Sequence, residues 1–374
     1  MKIYIIAGEA SGDLHGSKLI EEILKKSPET DIRCWGGDLM AKAGGKVVKH
    51  YRDLAFMGFW EVITNLSTIL SNISFCKKDI EAFNPDLIIY IDYPGFNLRI
   101  AKWAKQKGYR NFYYISPQIW AWNTGRVHQI KKNIDVMAVI LPFEKEFYKE
   151  HGMEVDFVGH PLLDFTESLQ VDPDFRQLNH LGNKEIIALL PGSRKQEILK
   201  MLPTMLALTV DFPDYQFVVA GAPSQDKSFY EGMLAPFENV SFIQGNTYGL
   251  LQNAKAALVT SGTATLETAL FEVPEIVCYK GNTLSYLIAR QVIKVKYISL
   301  VNLILDRPHV KELIQSDFNA IQLKKELTAI LQPAKQAELK AGYKELKNKL
   351  GNTGAAKRTA DLVGRSIMFG MEDE

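Results

Sequence analysis

The most chemically suggestive stretch of the sequence is a strand–turn–helix junction with a basic residue in its turn. Five apolar residues, Ile186–Leu190, run without polar alternation, as in a parallel strand that is buried on both faces. Gly192 ends this strand, and Ser193 and Arg194 open a helix. The free N–H groups of a helix N-terminus favour an anion, and a guanidinium matches a pair of phosphate oxygens. The junction is therefore a candidate phosphate site; the alternative is an ordinary turn with a solvated arginine.

A second junction of the same kind follows the predicted strand Ala256–Val259. Small residues, Ser261, Gly262 and Thr263, form its turn. Glu267 lies one turn into the next helix, where its carboxylate is placed to accept hydrogen bonds from a ribose diol. Two phosphate-suited turns in one parallel sheet predict a site for a nucleotide diphosphate.

The N-terminal strand leads into a glycine-rich stretch, Gly8–Gly16, that we predict to be a ligand turn before a helix from Ser17 to Lys26. Its candidate ligand residues are Ser11, Gly12, Asp13 and His15. The spacing is neither the G-x-G-x-x-G of nicotinamide-binding folds nor the G-x-S-x-G of serine hydrolases. The alternative is a structural connection in which Asp13 caps the helix.

A carboxylate stands at the end of another buried strand, Asp86–Ile91. Because ligands gather at the carboxyl ends of parallel strands, Asp92 is placed either for chemistry or to cap the helix Phe96–Lys107. After the next strand, Gln118 and Trp120 lie in a loop that contains two tryptophans. These side chains either line an apolar cleft or pack a domain edge.

Two domains are needed to position these residues, because 374 residues exceed one typical core. Strands alternate with helices in both halves, and the stretch 162–183 has no sustained periodicity. The sequence predicts an α/β protein with two Rossmann-like domains, residues 1–165 and 166–351, whose parallel sheets face a cleft. The last helix, about 352–374, is expected to pack back on the first domain.

Composition excludes several classes of protein. The formal net charge of +1 argues against a nucleic-acid-binding protein. The three cysteines lie far apart, and no cluster has metal-ligand spacing, so we expect neither disulfides nor a metal. The N-terminus has no signal-peptide pattern, and no apolar run spans a bilayer, which favours the cytoplasm.

One predicted helix carries an apolar face opposite an almost uncharged polar face. This face is formed by Phe59, Val62, Ile63, Leu66, Leu70 and Ile73. It is either a core helix or a surface that lies in a membrane interface. The stretch from Lys280 to Lys311 contains six basic residues and a single acidic one, which favours an anionic ligand or an anionic membrane surface.

Several motifs together resemble the lipid A disaccharide synthase family from Met1 to about Leu313. They are, in order, GEASGDLHG, IDYPGFN, YISPQIWAW, LPFEKEFY, GHP, LLPGSR, SGTATLE and YISLVNLIL. The resemblance implies an inverting GT-B glycosyltransferase without a cofactor. It implies transfer from UDP-2,3-diacylglucosamine to 2,3-diacylglucosamine 1-phosphate, which releases UDP. It also implies peripheral attachment to the cytoplasmic face of the inner membrane, with the apolar helix on the phospholipid surface.

The resemblance assigns roles residue by residue. Asp92 is the candidate general base, with His15 as its rival. The donor nucleotide and diphosphate are assigned to Gly192, Ser193, Arg194, Ser261, Gly262, Thr263, Glu267 and Asn302. The acceptor side is assigned to Ser11, Gly12, Asp13, Gln118 and Trp120. The sequence departs from the family at Gly95, where a second acidic residue often stands.

Three alternatives stay open at this point: another UDP-sugar transferase such as an N-acetylglucosaminyl transferase, a UDP-sugar 2-epimerase, and a nucleotide-sugar-binding protein without turnover. Acyl-chain length and oligomeric state, including a homodimer, are not fixed by the sequence.

Overall fold

The computed structural model of the protein describes residues 1–54, 66–282 and 295–370. They divide into two compact units. The first comprises Met1–Asp164 together with Leu350–Glu374, and the second comprises Phe165–Lys349. The boundary between them falls inside a short helix, Pro161–Ser168.

The first unit is built on a parallel sheet with the strand order β3-β2-β1-β4-β5-β6-β7. Its strands are β1 (Lys2–Ala7), β2 (Asp31–Gly36), β3 (Lys46–His50), β4 (Leu87–Ile91), β5 (Asn111–Tyr114), β6 (Val136–Val139) and β7 (Asp156–Phe157). The central strands β1, β4 and β5 are almost wholly buried, as their continuous apolar runs predict.

Helices connect these strands and cover the sheet. They are α1 (Ala10–Lys26), α2 (Asp38–Lys42), α3 (Leu66–Phe83), α4 (Pro94–Gln106), α5 (Ile119–Trp122), α6 (Val127–Asn133), α7 (Pro142–Glu150) and α8 (Pro161–Ser168). Short 3-10 turns occur at Tyr51–Leu54 and Thr124–Arg126.

The second unit repeats the arrangement with the strand order β10-β9-β8-β11-β12-β13, again all parallel. Its strands are β8 (Glu185–Leu190), β9 (Tyr215–Gly221), β10 (Val240–Gln244), β11 (Ala254–Thr260), β12 (Glu275–Tyr279) and β13 (Lys311–Ile314). Its helices are α9 (Phe175–Leu178), α10 (Lys195–Leu206), α11 (Lys227–Leu234), α12 (Thr247–Asn253), α13 (Thr263–Leu270), α14 (Leu300–Leu305), α15 (Ala320–Ile330) and α16 (Pro333–Lys349). A 3-10 turn spans Gln315–Asp317.

The last helix, α17 (Ala355–Gly370), belongs to the first unit and packs against α1. Lys26 of α1 forms an ion pair with Asp361 of α17. The Arg358 guanidinium donates to the Val158 carbonyl, which follows β7, at 2.7 Å. The chain therefore returns to its first unit after it has completed the second.

One prediction about local structure is wrong. The stretch predicted as a turn, Gly8–Gly16, is helical from Ala10 onward, because its glycines serve close packing and not a loop. A Cβ at Gly16 would lie 2.7 Å from the Met40 sulfur, and one at Gly12 would lie 3.0 Å from the Ala7 Cβ. The stretch 162–183, which has no sustained periodicity, contains most of α8 and all of α9. The predicted α/β class with two parallel sheets is confirmed.

Candidate active site

In the first unit, the loops after β1 and β4 meet where the strand order reverses. From β1 the chain proceeds outward to β2 and β3, and then returns to place β4 on the other side of β1. Such a switch point opens a crevice at the carboxyl ends of the strands, where ligands bind. The two loops touch, because a Cβ built on Gly8 would lie 2.3 Å from the Tyr93 ring.

Asp92 lies at this switch point in an unusual backbone conformation. Asp92 and Tyr93 both have positive φ angles, 44° and 48°. The Asp92 carbonyl accepts hydrogen bonds from Asn97 Nδ2 at 2.7 Å and from the Tyr113 hydroxyl at 2.6 Å. Helix α4 has Tyr93 as its N-cap, so Asp92 is not the cap that the alternative interpretation required. Its carboxylate is thus available for chemistry.

The surroundings of Asp92 suit a general base. Burial and the neighbouring charge of Glu9 together raise the pKa of its carboxyl to about 6, against a backbone hydrogen bond from Tyr93 that lowers it. A base is most effective when its pKa lies near the working pH. At pH 7 this group is mainly ionised and still has appreciable affinity for a proton.

Asp13, which was predicted to lie on the acceptor side, uses its carboxylate for hydrogen bonds within the protein. Its buried carboxylate accepts backbone N–H groups from Gly37 at 2.7 Å, Met40 at 3.0 Å and Leu39 at 3.1 Å. These are the free donors at the N-terminus of α2. Asp13 therefore caps α2, a different helix from the one considered in the sequence, and holds it against α1.

The other predicted residues of α1 divide between surface and interior. Ser11 is exposed and Gly12 is buried. Burial lowers the pKa of His15 to about 4, so its imidazole is neutral at pH 7. Burial, and the neighbouring His15, lower the pKa of His160 to about 3. His15 is thus half of a neutral histidine pair, and His160 is a neighbour that the sequence analysis did not single out.

After β5, Gln118 is exposed, and Trp120, on the short helix α5, is buried. The Trp120 Nε1 donates to Glu144 Oε1 at 3.3 Å. The other Glu144 oxygen accepts the backbone N–H groups of Ile140 at 3.2 Å and Leu141 at 2.9 Å. Trp120 thus anchors α5 to α7 and does not present its indole to solvent.

Glu144, which the sequence motifs did not single out, also lies near Asp92. Burial, with a smaller contribution from the charge of Asp92, raises the pKa of the Glu144 carboxyl to about 7, although three hydrogen bonds lower it. The available signal was a glutamate three residues after the N-cap Leu141 and two residues after the helix-initiating Pro142, as in a capping box. Nothing in that local pattern reveals that the carboxylate is buried near Asp92.

In the second unit, the sheet order reverses between β8 and β11. The two predicted phosphate turns follow these neighbouring strands, so they lie side by side at the switch point. Gly192 has a φ of 108°, and a Cβ there would lie 2.8 Å from Glu197 Oε2. Ser193 is exposed, and the Arg194 side chain is 69% exposed at the first turn of α10. Its guanidinium lies 3.5 Å from Glu197 Oε1.

The turn after β11 places its residues differently. Gly262 and Thr263 are exposed at the N-terminus of α13. The Ser261 hydroxyl donates to the Ile298 carbonyl at 2.8 Å. Glu267 is half-buried and accepts the Tyr248 hydroxyl at 3.1 Å. Burial raises the pKa of the Glu267 carboxyl, and the Tyr248 hydrogen bond opposes the shift.

Asn302 does not offer its amide to a ligand. It is 1% exposed, and its Oδ1 accepts the N–H groups of His309 at 2.8 Å and Val310 at 2.9 Å. Its Nδ2 donates to the Val310 carbonyl and to Glu312, both at 2.9 Å. The resemblance assigned Asn302 to the donor nucleotide. In this structure its side-chain oxygen and nitrogen both form hydrogen bonds within the protein, so neither is directed at a ligand.

The apolar helix face is only partly described. Phe59, Val62 and Ile63 lie outside the described residues, and α3 begins at Leu66. Leu70 is 61% exposed, whereas Ile73 packs against the core of the first unit. Within residues 1–54, 66–282 and 295–370, no helix is long and apolar enough to cross a membrane. The same residues contain no group of three or more metal-ligating side chains that could hold a metal ion.

Two α/β units of this kind, each with ligand loops at its switch point, define the GT-B class of glycosyltransferases and sugar epimerases. The fold is similar to that of UDP-GlcNAc 2-epimerase from Neisseria meningitidis, with a TM-score of 0.71 and 15% identity over 98% of this chain and all of that chain. It is also similar to the calicheamicin glycosyltransferase CalG4, with a TM-score of 0.62 and 14% identity over 98% of each chain.

Sequence comparison then identifies the family. Residues 3–363 match the model of the lipid-A-disaccharide synthetase family. The lipid-A-disaccharide synthase of Syntrophus aciditrophicus is 42% identical over 96% of each chain. Lipid-A-disaccharide synthase 1 of Legionella pneumophila (strain Lens) is 39% identical over 97% of this chain and 96% of its own. The chain belongs to the lipid-A-disaccharide synthase family, and it is a glycosyltransferase of lipid A biosynthesis.

Proposed function

We propose that the protein transfers a 2,3-diacylglucosamine unit from UDP to the 6-hydroxyl of 2,3-diacylglucosamine 1-phosphate, with inversion, to give the β-1,6 disaccharide and UDP. The observation that carries this proposal is the position of the Asp92 carboxylate at the switch point of the first unit, and its pKa, which burial raises, supports the role of a base. The donor is assigned to the second unit, and the acceptor to the first.

In the proposed reaction, the acceptor oxygen attacks the anomeric carbon of the donor from the face opposite UDP. Asp92 takes the proton from that hydroxyl as the new C–O bond forms. The bond from the anomeric carbon to the diphosphate breaks, and UDP leaves with its electron pair. The exposed Arg194 guanidinium and the free N–H groups of α10 stabilise the charge on the leaving diphosphate.

The remaining residues of the second unit are assigned to the nucleotide. Glu267 uses one oxygen for Tyr248, which leaves its second oxygen for the ribose diol. The N-terminus of α13, at Gly262 and Thr263, offers further backbone donors to the diphosphate. Gly192 allows the backbone to turn sharply beside this site.

We further propose that the protein binds peripherally to the cytoplasmic face of the inner membrane, because both substrates carry acyl chains. Helix α3 supports this proposal with Leu70 and Phe75, which are 61% and 45% exposed. Exposed apolar side chains of this size suit insertion into the interface of a bilayer.

The reaction is tested by UDP release from purified protein supplied with both lipids. Wild type should release UDP only when both are present. Asp92→Asn should lower kcat/KM on the order of a hundredfold or more, because the general base is lost. Arg194→Ala should have a similar effect through the leaving group. The matched controls Asp31→Asn, an exposed carboxylate at the start of β2, and Lys200→Ala, on the surface of α10, should keep wild-type rates.

Two results would redirect the proposal. Conversion of the UDP-sugar without acceptor would favour an epimerase, as in the structural neighbour from Neisseria meningitidis. Full activity of Asp92→Asn, with loss of activity in His15→Gln, would move the base to the histidine pair.

A further inference from the structure

The turn after β11 is attached to a part of the chain that is far away in sequence. Ser261 donates its hydroxyl hydrogen to the Ile298 carbonyl at 2.8 Å, and its N–H donates to the Cys278 carbonyl at 3.0 Å. The second contact belongs to the sheet, whereas the first depends on the position of residue 298. The orientation of the Ser261 hydroxyl is therefore set from outside its own loop.

Residue 298 is in turn held by a carboxylate. Glu312, on β13, accepts the N–H of Ile298 at 3.2 Å and 3.1 Å through its two oxygens. It also accepts the N–H of Ser299 at 3.0 Å and the Ser299 hydroxyl at 2.8 Å. One carboxylate thus fixes the peptide group that contains the Ile298 carbonyl and the peptide group before it.

Asn302 completes this network. Its Nδ2 donates to Glu312 at 2.9 Å, and its own N–H contacts the Ser299 hydroxyl at 3.3 Å. Glu312 therefore receives hydrogen bonds from three residues, Ile298, Ser299 and Asn302. Burial, and then the charge of Glu312, raise the pKa of the neighbouring Glu275 carboxyl.

The geometry points to Glu312 as a positioning residue for the nucleotide turn after β11, which acts through the Ile298 carbonyl on the Ser261 hydroxyl. The assignment rests on the proposed function, because it takes this turn as part of the donor site. It also gives Asn302 a role that fits its burial: Asn302 holds Glu312 and the start of β13, and does not itself bind the nucleotide.

A double-mutant cycle tests the assignment, with UDP binding by calorimetry as the first measurement. Glu312→Gln keeps one acceptor oxygen of two, and Ser261→Ala removes the hydroxyl. Each single variant should weaken UDP binding about fivefold to tenfold, which is the size of one ordinary hydrogen bond. The double variant should bind UDP as tightly as the single variant with the lower affinity, because both changes break the same connection. In turnover assays the donor KM should rise by the same factor, while kcat and the acceptor KM stay unchanged.

The control is Glu326→Gln, a half-buried carboxylate on α15 in the same unit, which should bind UDP as wild type does. The assignment would be overturned if the losses of UDP affinity in Glu312→Gln and Ser261→Ala added up in the double variant. It would also be overturned if Ser261→Ala bound UDP weakly while Glu312→Gln bound it normally. If Ser261→Ala binds UDP normally, the proposed donor site is wrong at this turn and the assignment falls with it. Where Glu312→Gln does not fold, Ser299→Ala takes its place in the cycle, with a smaller effect in the same direction.

Discussion

At the scale of single residues, Asp92 is held in a conformation that its own sequence does not favour. Positive φ angles for non-glycine residues cost on the order of 1–3 kcal/mol each and persist where the surroundings fix them. Ile115, at the end of the neighbouring strand β5, has a φ of 65°, which is rare for a β-branched residue. The bonds from Asn97 and Tyr113 to the Asp92 carbonyl offset this cost. The backbone that carries the Asp92 carboxylate is thereby fixed.

The proton affinity of Asp92 is tuned by a residue of the other loop, which gives a prediction for pH dependence. As a base, Asp92 must be ionised, so kcat/KM should fall below a pH of about 6. Glu9→Gln removes a negative charge that raises this pKa, so the acidic limb of the profile should move to lower pH. Activity at pH 7.5 should change little.

The pH profile of Glu9→Gln is compared with that of Glu21→Gln, which alters an exposed acid of the same helix that pairs with Lys18. Glu9 is the N-cap of α1 but makes no side-chain capping bond, so glutamine preserves the local structure. An unchanged limb, or one that moves to higher pH, would show that Glu9 does not act on the base.

Sequence reasoning finds some site residues and misses others for a physical reason. Asp92 and Arg194 are recognisable because Asp92 directly follows a buried apolar strand and Arg194 lies in the short turn after another, and strand ends gather ligands. Glu144 and Glu312 lie in ordinary helix and strand sequence, and their role depends on burial beside distant partners. Asn302 was assigned to the nucleotide from its motif, whereas its side-chain oxygen and nitrogen both form hydrogen bonds with protein groups. Local pattern does not specify which donors a buried polar group will meet.

At the scale of elements, α1 shows how glycine can mislead a reading of local structure. Three glycines within nine residues predict a turn, yet two of them lie inside a helix that starts at Ala10. Gly12 and Gly16 let this helix approach β1 and Met40 more closely than any side chain would permit. The strands were predicted more accurately, because buried parallel strands have long uninterrupted apolar runs.

Helix α3 supplies a prediction about membrane binding. Leu70→Asp places a charge on an exposed apolar position, so it should weaken binding to anionic phosphatidylglycerol vesicles about tenfold while the thermal unfolding midpoint stays unchanged. Co-sedimentation with the vesicles measures the effect. Leu178→Asp is the matched control, since Leu178 is 67% exposed on α9 of the second unit. Equal binding of wild type and both variants would remove α3 from the proposed membrane surface.

At the scale of the whole molecule, the second unit is one continuous stretch of chain, whereas the first is made of two stretches. The C-terminal stretch contributes buried residues to the first unit, including Leu362 and Val363 on α17. Burial of an aliphatic side chain contributes about 1.5–3 kcal/mol. A folded domain has only about 5–15 kcal/mol of net stability, so a missing helix with several such side chains is a large loss.

This difference in continuity predicts how the two halves behave when they are separated. A fragment of residues 161–349, which keeps α8 whole, should unfold cooperatively and bind UDP, because its sheet and its nucleotide turns are complete. A fragment of residues 1–168 should lack a cooperative thermal transition, since α1 loses its cover and Arg358 no longer bonds the Val158 carbonyl. The matched control joins 1–168 to 350–374 through a flexible glycine–serine linker and should restore the transition. If the fragment 1–168 were as stable as that control, α17 would be a surface attachment and not part of the core of the first unit.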